Sequence, residues 1–328
     1  MSAPLRRARS LAVRARRRLA KSKSGQDERG VTAEHWGEEA RTKVEGEEWT
    51  GLYWQSYILT QRNINKAIAG DPDENWLHFT KRRFFEQPAE RGLSLGCGYG
   101  VLEREAVKLG IAERFDAFDI SAEAVNVARE EAERQGLADR IDYAATDLNT
   151  IELEPGRYGA VFGIQSLHHI EALEHLFDQI RASLTPDGLF VVNEYVGPSR
   201  FQFPEERLSL MNKLLSVLPA THRRSLRDGQ VRTHLQRPSA KEVRRVDPSE
   251  SIRSDEIMGL IEERFEIVYK ADFGGTLLQF VFADIAGNFD PADPRDVALV
   301  DLICLYEETL IEHGVLPSDF TYVVAKAR

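Results

Sequence analysis

Cysteine is almost missing from this chain: among 328 residues there are two, Cys97 and Cys304. That excludes a disulfide framework and points to a reducing compartment, so the expected location is the cytoplasm. No apolar run approaches the roughly 20 residues that span a bilayer, and the start of the chain lacks the apolar core of a secretory signal. Acid is absent from residues 1–24, which hold nine Lys or Arg, whereas the rest of the chain carries 34 basic against 53 acidic residues. So acidic a body excludes general nucleic-acid binding, which needs a basic face to displace phosphate counterions. No cluster of His, Cys, Asp and Glu shows metal-ligand spacing, so no metal is expected, although the pair His168-His169 leaves a divalent-ion site open.

The basic start is ambiguous. Leu5, Ala8, Ala12, Ala15 and Leu19 fall at helical spacing, compatible with weak contact at the inner face of an anionic membrane. An Arg-rich, acid-free stretch is also compatible with an organellar transit peptide, and a solvated disordered tail is the preferred reading of the three. The expected organisation is a tail over 1–30, an N-terminal helical cap over 31–90, a cofactor-binding core over 91–198, a helical and arginine-rich insertion over 199–250, and the rest of the sheet over 251–328 with a helical insertion at 276–315. The cap is aromatic from Trp49 to Phe85, with Trp49, Tyr53, Trp54 and Tyr57 at helical spacing. They read as core against the sheet, or as a lid that excludes water from the site.

From Arg91 onward short apolar runs alternate with helical patterns. Strands are expected at 92–95, 115–120, 141–145, 158–164 and 189–195, with helices at 99–109, 122–135 and 171–184. Two further strands (266–273 and 321–325) are separated by helical segments at 277–285 and 296–312. Continuous apolar strands between helices mean a doubly wound α/β fold, a mostly parallel seven-stranded sheet covered on both faces.

The densest signal is Leu93-Ser94-Leu95-Gly96-Cys97-Gly98-Tyr99-Gly100, a strand, a tight turn and a helix start, where glycine lets backbone approach a ligand. In an open α/β sheet ligands sit at the carboxyl ends of the strands. The second strand ends at Asp119, placed to accept both hydroxyls of a ribose. After the third come Thr146-Asp147-Leu148, and after the fourth Gln165-Ser166-Leu167-His168-His169. Together these select an adenosine-containing cofactor. The glycines stand on alternate positions, unlike the G-x-G-x-x-G of dinucleotide binders, with an acidic loop after the third strand in addition.

On these motifs the chain resembles the class I S-adenosylmethionine-dependent methyltransferases over about residues 90–197 and the terminal strands. The resemblance implies S-adenosylmethionine as cofactor and a Rossmann-like sheet ending in an antiparallel pair. It further implies that Gly96, Cys97, Gly98 and Tyr99 lie against the methionine part, Asp119 on the ribose and Ile120 on the adenine. Asp147 and the Leu148 amide would meet the adenine polar edge, and Gln165 the sulfonium. Family members usually carry Asp or Glu two residues before the first glycine; here that residue is Ser94, which leaves Glu103, Glu105 or a cap residue to hold the cofactor ammonium. The glycine run and Asn193–Gln202 also resemble uncharacterised bacterial methyltransferases of polysaccharide and secondary-metabolite pathways.

A hydroxyl acceptor must lose its proton, and His168 and His169, just after the fourth strand, are the candidate bases; Glu194 and Tyr195 stand second. The leading expectation is therefore O-methylation of a glycan or small metabolite. A lipid or quinone methyltransferase, a nicotinamide-dependent oxidoreductase and a non-catalytic scaffold are the alternatives. The arginines between Arg223 and Arg245 form either a solvated loop or a lid for an acidic acceptor.

Overall fold

The computed structural model describes residues 28–45 and 51–328. The basic tail and Trp49 lie outside the described residues, and with them the membrane-contact and transit-peptide readings. The sheet has seven strands in the order β3-β2-β1-β4-β5-β7-β6: β1 (Ala89–Leu95), β2 (Ala112–Asp119), β3 (Ile141–Ala145), β4 (Tyr158–Ile164), β5 (Leu184–Tyr195), β6 (Phe265–Gly274) and β7 (Phe320–Ala327). The first five run parallel, and β7 is antiparallel to both β5 and β6. Strand order reverses between β1 and β4, the position at which doubly wound sheets open a crevice.

The helices are α1 (Glu28–Glu45), α2 (Ile58–Ala69), α3 (Trp76–Phe84), α4 (Val101–Leu109), α5 (Ala122–Arg134), α6 (Leu173–Ser183), α7 (Glu205–Val217), α8 (Ala240–Val246), α9 (Ile257–Arg264), α10 (Leu278–Val281) and α11 (Pro294–Glu312). Among the described residues none is long and apolar enough to cross a membrane. Local chemistry explains the boundaries. The Ser121 hydroxyl accepts from the Ala124 amide to start α5, and α4 ends at Gly110 in the left-handed region. Each face of the sheet has its own core: Phe115, Phe162, Val191 and Tyr322 on one side, Leu93, Val161, Phe190 and Val192 on the other.

Two expectations change. β5 begins at Leu184 rather than Leu189, because Leu184 already pairs with Tyr158, and Thr185–Gly188 bulge out at a register shift before Leu189 pairs with Ala160. A Cβ at Gly188 would lie 2.7 Å from the Tyr158 carbonyl oxygen, so only glycine fits that close approach. The segment 277–285 is helical only over Leu278–Val281; its first turn is held by Glu307, whose carboxylate accepts the amides of Gly275, Leu277 and Leu278.

The aromatic cap also lands elsewhere. Trp54 stacks on Phe320 with ring centroids 5.4 Å apart, and Phe79 on Tyr269 at 5.3 Å. These rings cover the β6–β7 edge, so the core reading of Trp54 holds and the lid reading does not. The polar helix α1 is what lies over the carboxyl ends of the strands. Gly37 permits this close seat, since a Cβ there would be 2.8 Å from Cβ of Glu123 on α5.

Candidate active site

The glycine turn is pinned to β2 by the amides of Gly96 and Cys97, both donating to the Phe118 carbonyl at 2.8 and 2.9 Å. Gly96 has φ +72° and a Cβ on it would strike the Ser166 side chain; Gly98 has φ +52° with no heavy atom within 4 Å of where its Cβ would be. The turn is thus closed below Gly96 and open above Gly98. Asp119 accepts the Gly98 amide on one oxygen (2.9 Å) and the Ser121 amide on the other (2.8 Å). Burial pushes its carboxyl up while those two amides hold it down. Each oxygen keeps a lone pair for a further donor.

A cleft opens at this point, lined by Gly96, Ile120, Asp147, Leu148, Ser166 and His169. Arg29, Thr32 and Trp36 of α1 form its roof, and Pro248, Ser249 and Ile252 its far wall. Of the residues expected to bind cofactor, Gly96, Ile120, Asp147 and Leu148 line the cleft directly, and Asp119 and Gly98 support the turn beside it. Cys97 is buried, its thiol pushed well up by burial and by the Glu103 and Asp119 charges, so it is packing and not a nucleophile. Tyr99 gives its carbonyl to Arg104 at 2.8 Å. The Gln165 side chain turns away to the Asn193 carbonyl (3.0 Å), on a backbone with φ +51°. Asp147 holds Asn149 through Oδ1 and has an Arg29 nitrogen 2.9 Å from Oδ2.

The two histidines differ sharply. Glu194, fully buried, accepts the amides of Ser166 (2.8 Å), Leu167 (2.7 Å) and Tyr195 (2.6 Å) and binds His168 Nδ1. Burial alone would lower the His168 pKa, but Glu194, Glu250 and Asp247 raise it to about 9. His168 is therefore a charged strut within the turn, with Nε2 3.7 Å from Glu250. Burial, and then the charge on His168, lower the pKa of His169. Its Nδ1 lies 3.0 Å from Ser249 Oγ and 3.6 Å from Asp247, and its Nε2 is buried with no partner. Trp36 stands edge-on to the His169 ring at 5.0 Å, and Thr32 donates to Asp247 at 3.1 Å.

The second-line candidates fall away as bases. Glu194 is saturated by donors, and Tyr195 is buried, donates to the Pro198 carbonyl at 3.1 Å and has its phenol pushed up by burial. Three residues that sequence reasoning missed complete this corner: Asp247, Ser249 and Glu250. The Asp-Pro-Ser run announces a turn, but only the fold carries it to the histidines. Among the described residues, His168, His169 and Glu250 offer ligand atoms within 4.8 Å of one another, so the fold supplies a third donor to the pair left open above. Three arginines of the arginine-rich stretch are engaged within the protein. Arg232 donates to the carbonyls of Phe280 and Ala283, Arg237 to that of Phe203, and Arg227 pairs with Asp284; these arginines tie the insertion to the body.

A glycine turn with open space above it, a buried acid after β2 and a second after β3 define an adenosine-cofactor site, and the antiparallel β7 sets the sheet apart from dinucleotide-binding ones. Residues 93–188 match the methyltransferase domain family. The sterol 24-C-methyltransferase ERG6B of Gibberella zeae is 29% identical over 119 residues, 36% of this chain and 31% of that protein. The ubiquinone biosynthesis O-methyltransferase of Methylocella silvestris is 32% identical over 109 residues, 33% of this chain and 41% of that protein. The chain thus spans a third to a half of the curated relatives it matches. The geranyl diphosphate C-methyltransferase of Streptomyces coelicolor A3(2), solved with Mg²⁺, geranyl diphosphate and S-adenosyl-L-homocysteine, shares the fold at TM-score 0.53 and 12% identity, covering 93% of this chain and 99% of that one.

Residues 93–188 thus carry a methyltransferase domain, set in a sheet with the fold of the S-adenosylmethionine-dependent methyltransferases. The residues present fit that cofactor: Gly98 leaves space over the turn, and Asp119 and Asp147 offer carboxylate acceptors at two neighbouring strand ends for the polar groups of a nucleoside. The nicotinamide alternative is set aside.

Proposed function

We propose that this protein transfers a methyl group from S-adenosylmethionine to a hydroxyl of a small acceptor, a glycan or metabolite, with His169 as the general base. The carrying observation is His169, a lining residue of the cofactor cleft whose pKa is lowered by burial and by the charge on His168, with Nδ1 oriented by Ser249 and Asp247 and Nε2 buried without a partner. S-adenosylmethionine supplies an electrophilic methyl group on a sulfonium. The glycine turn, Asp119 and Asp147 bind and orient the cofactor, and α1 excludes water from it. His169 Nε2 takes the acceptor proton, while His168, already charged, holds the turn in place. Strained backbone supports an acceptor side here: Gln165, Arg200, Phe201 and Ser251 all have φ between 49° and 58°, and the Arg200 amide donates to the Ser251 carbonyl at 2.7 Å.

A second reading, an apolar lipid or quinone acceptor, is favoured by the names of the sterol and ubiquinone relatives. Methyl transfer from radiolabelled S-adenosylmethionine to panels of polyhydroxylated and of lipid or quinone acceptors separates the two. With a hydroxyl acceptor, His169→Ala lowers kcat by about 10²–10⁴-fold with little change in S-adenosylhomocysteine affinity. Because His169 stays neutral to a lower pH than an ordinary histidine, activity holds through neutrality and falls only below the usual histidine range. Full turnover by His169→Ala sinks the assignment.

A further inference from the structure

We propose that Glu103 is the carboxylate that receives the ammonium group of the cofactor's methionine part, approaching it from beneath the glycine turn. The inference rests on the cofactor reading above. Glu103 is the third residue of α4, whose first turn abuts Gly100. Side chains on a helix lean toward its N-terminus, so this one runs back under the turn and ends beside the Ser94 hydroxyl, near Cys97 and Asp119.

Its surroundings lack the partner a carboxylate needs. Glu103 is 0% exposed, and neither carboxylate oxygen makes a hydrogen bond of normal geometry; the Ser94 hydroxyl and its own backbone amide, both uncharged, lie close by and lower its pKa. The neighbouring Arg104 directs its guanidinium to the Tyr99 carbonyl. Other buried acids are provided for: Glu194 by three amides and His168, Glu307 by three amides, Asp116 by Arg91, Arg157 and Tyr158. Among the described residues, Glu103 is the one buried carboxylate with both oxygens unpartnered. Leaving such a group in a dry interior is costly, and burial pushes its pKa up to about 7.

What the site lacks is a cation with several N–H donors. The turn above is open at Gly98, and the cofactor's amino-acid end carries such a group. The other acids near the turn are already engaged or wet. Glu105 pairs with Lys108 at 2.7 Å with 49% of its side chain exposed, and Glu28 is exposed at the cleft rim. The small Ser94 side chain is what makes room for the Glu103 carboxylate beside the end of β1.

The test compares two ligands on the full chain by titration calorimetry: S-adenosylhomocysteine, which has the ammonium, and 5′-methylthioadenosine, which lacks the whole amino-acid end. Glu103→Gln is expected to weaken S-adenosylhomocysteine by about tenfold or more, the value of one charge-assisted contact, and to change 5′-methylthioadenosine by less than about twofold. The double variant Ser94→Asp/Glu103→Gln, which returns a carboxylate from the neighbouring strand, is expected to recover most of the lost affinity. Unchanged S-adenosylhomocysteine affinity in Glu103→Gln, or equal weakening of both ligands, overturns the proposal. Should Glu103→Gln fail to fold, the double variant decides: it must keep the wild-type preference for S-adenosylhomocysteine, and loss of that preference is refutation. Failure of the wild-type chain to bind either ligand would instead refute the cofactor reading, a separate outcome.

Discussion

The buried ion pair between Arg207 on α7 and Asp319 at the start of β7 yields a stability prediction with a defined sign. Arg207 Nη1 lies 2.6 Å from Asp319 Oδ2, with side-chain exposures of 4% and 1%. The Asp319 main chain is built in as well, its carbonyl accepting the Val196 amide at 2.7 Å. Burial outweighs the guanidinium and pushes the Asp319 carboxyl up to about 6. Arg207 Nε and Asp319 Oδ1 remain without partners, so the pair is imperfectly compensated. Replacing Arg207 by Met strands a buried carboxylate and is expected to cost about 3–5 kcal/mol at pH 7. The sign of the pH dependence follows: an acid with a raised folded pKa stabilises the fold when protonated. Without the guanidinium the Asp319 carboxyl is pushed higher still, so the deficit of Arg207→Met is largest above the variant's own raised pKa and shrinks as pH falls from there toward about 6. The double variant Arg207→Met/Asp319→Leu removes both charges and should match the wild type or exceed it. Urea unfolding at pH 7.5 and 5 measures all three. A loss under about 1 kcal/mol for the single variant, or a double variant no better than the single, refutes the reasoning.

Asp119→Ala should weaken S-adenosylhomocysteine and 5′-methylthioadenosine alike, by about 10–100-fold, because both ligands keep the ribose; a selective effect would contradict its assignment. Gly37→Leu should lift α1 from α5, since the added Cβ meets Glu123 at 2.8 Å. Faster amide exchange over 28–45 together with faster release of S-adenosylhomocysteine is the expected result, and unchanged exchange would show that α1 tolerates the side chain.

Much of the core was legible because its signals are local. β3 and β4 and the start of α5 follow from apolar runs, Ser121 and flanking glycines, and their residues fall as read. The donor half of the site was legible for the same reason: Gly96, Asp119 and Asp147 each stand at a strand end, and strand ends in a parallel sheet share one rim. The acceptor corner was not. Asp247, Ser249 and Glu250 lie some eighty residues beyond His169 in an insertion without periodicity, and nothing local says that they return to it. Nor could residue type separate His168 from His169; the difference comes from Glu194, a β5 residue whose side chain is spent on the turn after β4. The aromatic cap left two readings open because large rings favour any buried edge; the β6–β7 edge is the one they reach, as core. Polar α1 carries little apolar signal, and its seat depends on Gly37 and Thr32.

The position of α1 has a consequence for how the molecule is made. Its residues leave the ribosome before the sheet does, yet they rest on α5 and on Asp247, which emerge later. The rim of strand ends can form once residues up to about 195 are available, whereas its roof must wait for the turn that carries Asp247. During synthesis a half-built chain would present Asp147 without its Arg29 partner, so the cleft stands open before the enclosure is complete. A helix translated ahead of the sheet is seated only after it.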